Sequence, residues 1–199
     1  MKISEYISKV LSICKIGKKF STDPYALENY QDLETLSLEM LQEQVDETIT
    51  GTLYERDIYP TPNISVRTLV INELGELLMV QEKADGLWSV PGGWCDVFES
   101  SSSSAIKEVE QEAGVTVEIK RLLGLFSREK YKNYESMLSE YVVYYHGIPL
   151  SHDLRPNHEI EQVRYFSIHD LPPLSRKVSL GEITRAYRVY HENSDTQFD

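Results

Sequence analysis

The sequence predicts an α/β (α+β) protein in which a helical hairpin precedes a mixed sheet sandwiched between helices. Three observations predict it. Apolar residues recur at helical spacing before about residue 60. Beyond it, the pattern changes to short runs rich in β-branched and aromatic residues, with Gly, Pro and Asn marking the turns. Two helical stretches interrupt those runs, the arrangement of a sheet covered on both faces. The expected division is residues 1–58 as a helical docking or dimerisation unit and 59–199 as the main domain.

In the first part Ile3, Tyr6, Ile7, Val10, Leu11 and Cys14 form one stripe, and Gly17 with Lys18 and Lys19 reads as the helix end. Asp23-Pro24 then opens a second helix with a capping carboxylate and a proline at the first helical position. Its apolar positions run through Leu27, Tyr30, Leu33, Leu36, Met40, Leu41 and Val45, ending before Gly51. Two helices alone cannot bury both stripes, so the hairpin is expected to form a homodimer; docking within its own chain is the alternative.

In the second part, strands are predicted over Ile64–Ile71 and Leu77–Gln81, with turns at Asn72–Gly75 and at Asp85-Gly86. Pro91-Gly92-Gly93 breaks the chain before a helix over Ser101–Ala113. Ser100–Ser104 supply its cap and Gly114 its stop. Strands at 117–127, 138–147 and 162–167 and a final helix over Gly181–Glu192 complete the set.

The chain has 199 residues, 41% hydrophobic and 26% charged, an ordinary globular balance. A net charge of −12 argues against nucleic acid as partner, because phosphate backbones demand clustered Lys and Arg. It leaves room for a small polyanion, since a bound divalent cation reverses the field inside one cleft. No apolar run suits a signal peptide or a membrane span, so the cytoplasm is the simplest location. Cys14 and Cys95 lack metal-ligand spacing and are expected as buried free thiols.

Chemistry concentrates between Gly93 and Val115. Glu108, Gln111 and Glu112 stand at i, i+3 and i+4 and share one helix face. Ala105, Val109 and Ala113 form a small apolar stripe for close packing on a sheet. Carboxylates one turn apart repel unless a cation lies between them, and hard oxygen ligands suit Mg²⁺ or Mn²⁺. A solvated acidic face is the plainer reading of that pair taken alone.

The whole constellation resembles the Nudix box, G-x5-E-x7-R-E-U-x-E-E-x-G-U with U apolar. Gly93, Glu99, Glu108, Val109, Glu112, Gly114 and Val115 fall on pattern, while Lys107 stands for the usual Arg and Gln111 for the first Glu of the pair. Leu87-Trp88-Ser89-Val90-Pro91 looks like the strand leading into it. The resemblance implies Glu108 and Glu112 as metal ligands, with activation of water as the other role for Glu108. It implies a Glu99 partnership with the box cation, in which Lys107 keeps the charge but not the bidentate fork. Gln111 can offer one oxygen to a metal but cannot neutralise a second.

The helical N-terminus, Tyr59-Pro60-Thr61-Pro62-Asn63-Ile64-Ser65-Val66-Arg67 and Leu171-Pro172-Pro173-Leu174-Ser175 are similar to a subgroup that includes CDP-choline and ADP-ribose pyrophosphatases. Asn63 and Ser65 replace that subgroup's Lys and Asp, and Arg67 is kept. All three are candidate substrate contacts. Glu159 and Glu161, ahead of a strand, lie where the family places a further glutamate; base, ligand and polar loop are the open readings. Arg128 and Lys130, with Lys132, Tyr131 and Tyr134 near them, read either as phosphate and base contacts or as an exposed charged loop.

The implied reaction is metal-dependent hydrolysis of the diphosphate in a nucleoside diphosphate linked to X, giving a nucleoside monophosphate and phospho-X. The alternative is a catalytically weakened Nudix-fold nucleotide-binding or regulatory module.

Overall fold

The computed structural model describes residues 3–44, 62–134 and 139–199. The expected end of the second helix at Val45 to Gly51, the Tyr59-Pro60-Thr61 run with the 58/59 boundary, and the strand start at 138 lie outside them. The chain divides into two compact units, Met1–Pro60 and Thr61–Asp199.

The first unit pairs α1 (Ile3–Phe20) with α2 (Pro24–Gln44). Ile7 and Leu11 cluster with Leu41, and Gly17 meets Tyr30, so the helices run antiparallel. Asp23 caps α2 by accepting from the Tyr25 N–H at 3.1 Å. Lys18 and Lys19 fall in the last turn of α1, as expected, but the stop at Gly17 is corrected: α1 continues to Phe20. A β-carbon at Gly17 would sit 2.3 Å from the Tyr30 ring, so this glycine serves close helix approach rather than capping. Cys14 is buried and free; Cys95, in the second unit, is free and half-buried.

The second unit runs β1 (Asn63–Val70), β2 (Leu77–Glu82), β3 (Trp88–Ser89), α3 (Ser101–Ala113), β4 (Val117–Ser127), a 3-10 turn (Arg128–Lys130), β5 (Glu140–Pro149), β6 (Ile160–Phe166), α4 (Leu180–His191) and β7 (Gln197–Phe198). Its strands form a four-stranded mixed sheet, β1-β5-β4-β7, and a three-stranded antiparallel sheet, β3-β2-β6.

Alternation along β1 and β2 explains their unbroken apolar runs. Leu69, Leu77 and Met79 join Ile183, Ala186 and Val189 of α4 in one cluster, while Val70, Leu78 and Val80 join Val109 and Ala113 of α3 in another. Both faces of these strands are therefore covered. Helix α3 is capped by Ser100, whose side chain accepts from the Ser103 N–H, and stops at Gly114 with φ 70°. No helix among the described residues is long and apolar enough to cross a membrane.

Candidate active site

Helix α3 is seated by Ala105, Val109 and Ala113, all with no exposed surface. That seating directs Glu108 and Glu112 into a cavity of about 460 Å³. Gln111 lies on its flank, where it lines a second space with Glu108, Glu112, Asn157, His158 and Glu159.

The loop from Pro91 to Cys95 runs against β1, its hydrogen bonds linking Thr68 to Pro91, Val66 to Gly93 and Ile64 to Cys95 at 2.9–3.0 Å. Such contact demands glycine at position 92. Its φ is 149°, and a β-carbon there would lie 2.0 Å from the Val66 carbonyl oxygen. At Gly93 a β-carbon would meet Glu108 Oε1 at 2.6 Å. The loop is clasped from both sides: buried Arg67 donates to the carbonyls of Gly92 and Val90, and Gly92 N–H donates to Glu112 Oε2 at 2.9 Å.

Burial pushes the Glu112 carboxyl up to about 7, although Arg67 and the Gly92 N–H favour its charged form. Burial also raises Glu108, against Arg67 and Lys107. Two carboxylates one turn apart, both raised by burial, make a site that gains by taking up positive charge.

The remaining walls come from elsewhere in the second unit. Glu159, just before β6, lines both spaces, whereas Glu161 is exposed on β6 and lines neither. Arg176 and Lys177, from the segment before α4, and Trp94 also line the main cavity. Lys177 is tied at 2.7 Å to buried Glu82, which accepts from Ser89 Oγ at 3.0 Å. Among the described residues no three His, Cys, Asp or Glu side chains converge as a ready-made metal cage.

Several expected contacts fall differently. Arg67 lines the cavity, but two loop carbonyls already use its guanidinium. Ser65 lines it too, and its hydroxyl donates to Glu140. Asn63 opens β1 and is absent from the cavity wall. The reading of Arg128 as part of an exposed loop is corrected: it is 2% exposed, and its guanidinium bonds Glu182 and the Arg176 carbonyl. Lys130 stays exposed, 4.0 Å from Asp199 and outside the cavity. Lys107, on α3, bonds Asp96 in the preceding loop, which raises its pKa, and Glu99 adds to the rise. Sequence reasoning missed Trp94, Arg176 and Lys177. A basic pair directly after the Leu-Pro-Pro-Leu-Ser run, in so acidic a chain, was the available signal.

Residues 61–187 match the NUDIX domain family. The chain belongs to the Nudix family. It is a Nudix hydrolase by that membership, and residues 1–52 match a second family described as a UDP-X-like, N-terminal oligomerisation domain. Among similar proteins is YjhB of Bacillus subtilis (strain 168), provisionally named an ADP-ribose pyrophosphatase. It is 32% identical over 176 residues, covering 87% of this chain and 84% of that one. The crystal structure of a UDP-X diphosphatase superposes with a TM-score of 0.68 at 27% identity, covering 100% of both chains. An ADP-ribose pyrophosphatase from Streptococcus suis 89-1591 aligns with a TM-score of 0.62 at 34% identity, over 70% of this Nudix hydrolase and 100% of its own chain.

Proposed function

We propose that this Nudix hydrolase cleaves the diphosphate of a nucleoside diphosphate linked to X, using Mg²⁺ or Mn²⁺, and releases a nucleoside monophosphate and phospho-X. The observation that carries the proposal is the pair Glu108 and Glu112, one turn apart and both facing the main cavity, with basic Arg176 and Lys177 on its wall. The donor set fits Mg²⁺ or Mn²⁺: two carboxylates would supply hard oxygens, and substrate phosphates would add further ones in place of a full protein cage. Glu108 and Glu112 would hold the cation, with the Gln111 amide oxygen as an auxiliary donor. The chemistry a cation held there would supply is neutralisation of the diphosphate and a lowered pKa for an attacking water.

The chain's own residues do the rest. Arg67 and Glu112 hold the Gly92-Gly93 loop in register beside the acids. Glu159, on the wall of the same cavity, supplies a carboxylate to accept the proton of the attacking water. Arg176 and Lys177 offer positive charge to substrate oxygens. The test is a panel of CDP-choline, ADP-ribose and sugar nucleotides with Mg²⁺ or Mn²⁺, monitored for nucleoside monophosphate. Glu112→Gln is expected to lower metal-dependent turnover by about 100-fold or more while leaving the melting temperature and circular dichroism spectrum native-like. Retained turnover in that variant at saturating metal rejects the ligand role.

A second reading, a binding module with weak turnover, draws on Gln111, which leaves the helix face one charge short. Saturable nucleotide binding without product in either metal would favour it.

We also propose that the N-terminal helices form a homodimer. Two observations support this: the match of residues 1–52 to an oligomerisation domain, and the exposed Ile13, Ile16, Phe20 and Leu36 on the hairpin.

A further inference from the structure

The main cavity adjoins a second one of about 540 Å³, and Arg128, Tyr134 and Arg176 line both. The two lobes differ in charge. Glu108, Glu112 and Glu159 face the first, whereas no carboxylate lines the second among the described residues. Lys132 and Arg176 supply the cations there, with Asn133 beside them and Leu174 and Val178 as apolar wall.

Tyr134 is the hinge between the lobes. Lys132 Nζ lies 6.0 Å from its ring centroid and the Arg176 guanidinium carbon 5.9 Å. Arg128 contributes little net charge, since Glu182 pairs with it. Lys132 is bonded to Glu129 at 3.2 Å. Arg176 makes no ion pair with any described residue, and its exposed guanidinium rests on the Tyr134 ring.

With the diphosphate at the acid lobe, one end of the substrate extends past Tyr134. An incoming base would find that ring already engaged by two cations. Trp94, 51% exposed on the main cavity wall, offers an open aromatic surface instead. We propose that the second lobe seats X, and that Arg176 selects a neutral, hydroxyl-rich or anionic X against a cationic one. The proposal rests on the diphosphate-cleaving reading above. A free aromatic face attracts a quaternary ammonium, but a ring already covered by the Arg176 guanidinium presents like charge to a second cation. Hydroxyl and carboxylate groups find donors in the guanidinium and the Asn133 amide.

Matched substrate pairs test it, because the base stays constant within each: CDP-choline against CDP-glycerol, and UDP-glucose against UDP-glucuronate. Each is measured as kcat/KM with the wild-type enzyme and Mg²⁺, and as Kd by calorimetry with the wild-type enzyme and Ca²⁺ in place of Mg²⁺. CDP-glycerol is expected to exceed CDP-choline by about tenfold in both measures, the scale of one like-charge contact in a partly solvated site. UDP-glucuronate is expected to match or exceed UDP-glucose. Arg176→Gln should bring each pair towards parity. That variant keeps the Arg176 carbonyl bonded to Arg128, so a purely structural role for the side chain would leave the ratios unmoved. Turnover of CDP-choline equal to that of CDP-glycerol, or an unchanged ratio in Arg176→Gln, overturns the lobe and leaves the hydrolase standing. Charge-ordered binding with no turnover of any substrate supports the lobe and sinks the hydrolase reading. Binding of none of the four overturns the lobe.

Discussion

At the residue scale, the acids of α3 divide by one position. Glu112 is 5% exposed and bonded to the loop, Glu108 faces the main cavity, and Gln111 stands on the flank towards Glu159. Restoring a charge at that flank is expected to tighten the cation site, since a third carboxylate adds both a hard donor and neutralising charge. Gln111→Glu should strengthen Mn²⁺ binding about tenfold by titration calorimetry, or raise turnover at limiting metal by a similar factor. No change in either would mark glutamine as an adapted position. Spacing alone placed Glu108, Gln111 and Glu112 on one face, because helical geometry is local. Arg176 and Lys177 were not legible in that way. Their approach to the acids depends on a long-range return of the chain, and periodicity carries no such information.

At the scale of elements, the loop clasped against β1 is the least tolerant part of the site. Gly92→Ala places a β-carbon against the Val66 carbonyl at a backbone angle that L-residues seldom adopt. A loss of about 1–3 kcal/mol from strain is expected, with turnover falling because the Glu112 anchor moves. Equal melting temperature and activity in that variant would remove the clasp from the mechanism. Strand β5 carries a second prediction. His146 packs against Tyr190 of α4 with ring centroids 4.7 Å apart, and burial, with Arg121 and Lys120, lowers its pKa below 6.5. The unfolded chain therefore takes up this proton at higher pH than the native one. Stability contributed by neutral His146 is complete above pH 6.5 and is lost as pH falls through the lower native value. Thermal melts from pH 7.5 to 5 should show a steeper decline in the wild type than in His146→Gln; parallel curves would discount the linkage. Among the elements themselves, α3 and β4 were legible to the residue because caps and alternation bound them locally. The short strand β7 escaped, since two residues carry no period, and β3 was legible only through the resemblance, as part of the Leu87–Pro91 strand that leads into the box.

At the scale of the whole molecule, the change of periodicity near residue 60 foretold a helical segment followed by a strand-rich one. What it could not give is how far α1 runs. Gly17 looks like a stop in isolation and becomes a helix contact only once Tyr30 is opposite it. The same packing determines what remains uncovered. Ile7, Leu11 and Leu41 fill the inner seam, which leaves Ile13, Ile16 and Phe20 of α1 at 57%, 53% and 72% exposure and Leu36 of α2 at 62%. Burying such side chains is worth about 1.5–3 kcal/mol each, so a second copy gains strongly by covering them. Sedimentation of the full chain at micromolar concentration is expected to give a dimer. Ile13→Glu combined with Leu36→Glu should shift it to monomer, because a charged group buried without a partner costs several kcal/mol at the interface. Neither residue contributes to the inner seam, so the helical signal in circular dichroism should persist in the variant. A wild-type chain that sediments as a monomer would remove dimerisation. A variant that remains dimeric would move the interface to another surface of the hairpin.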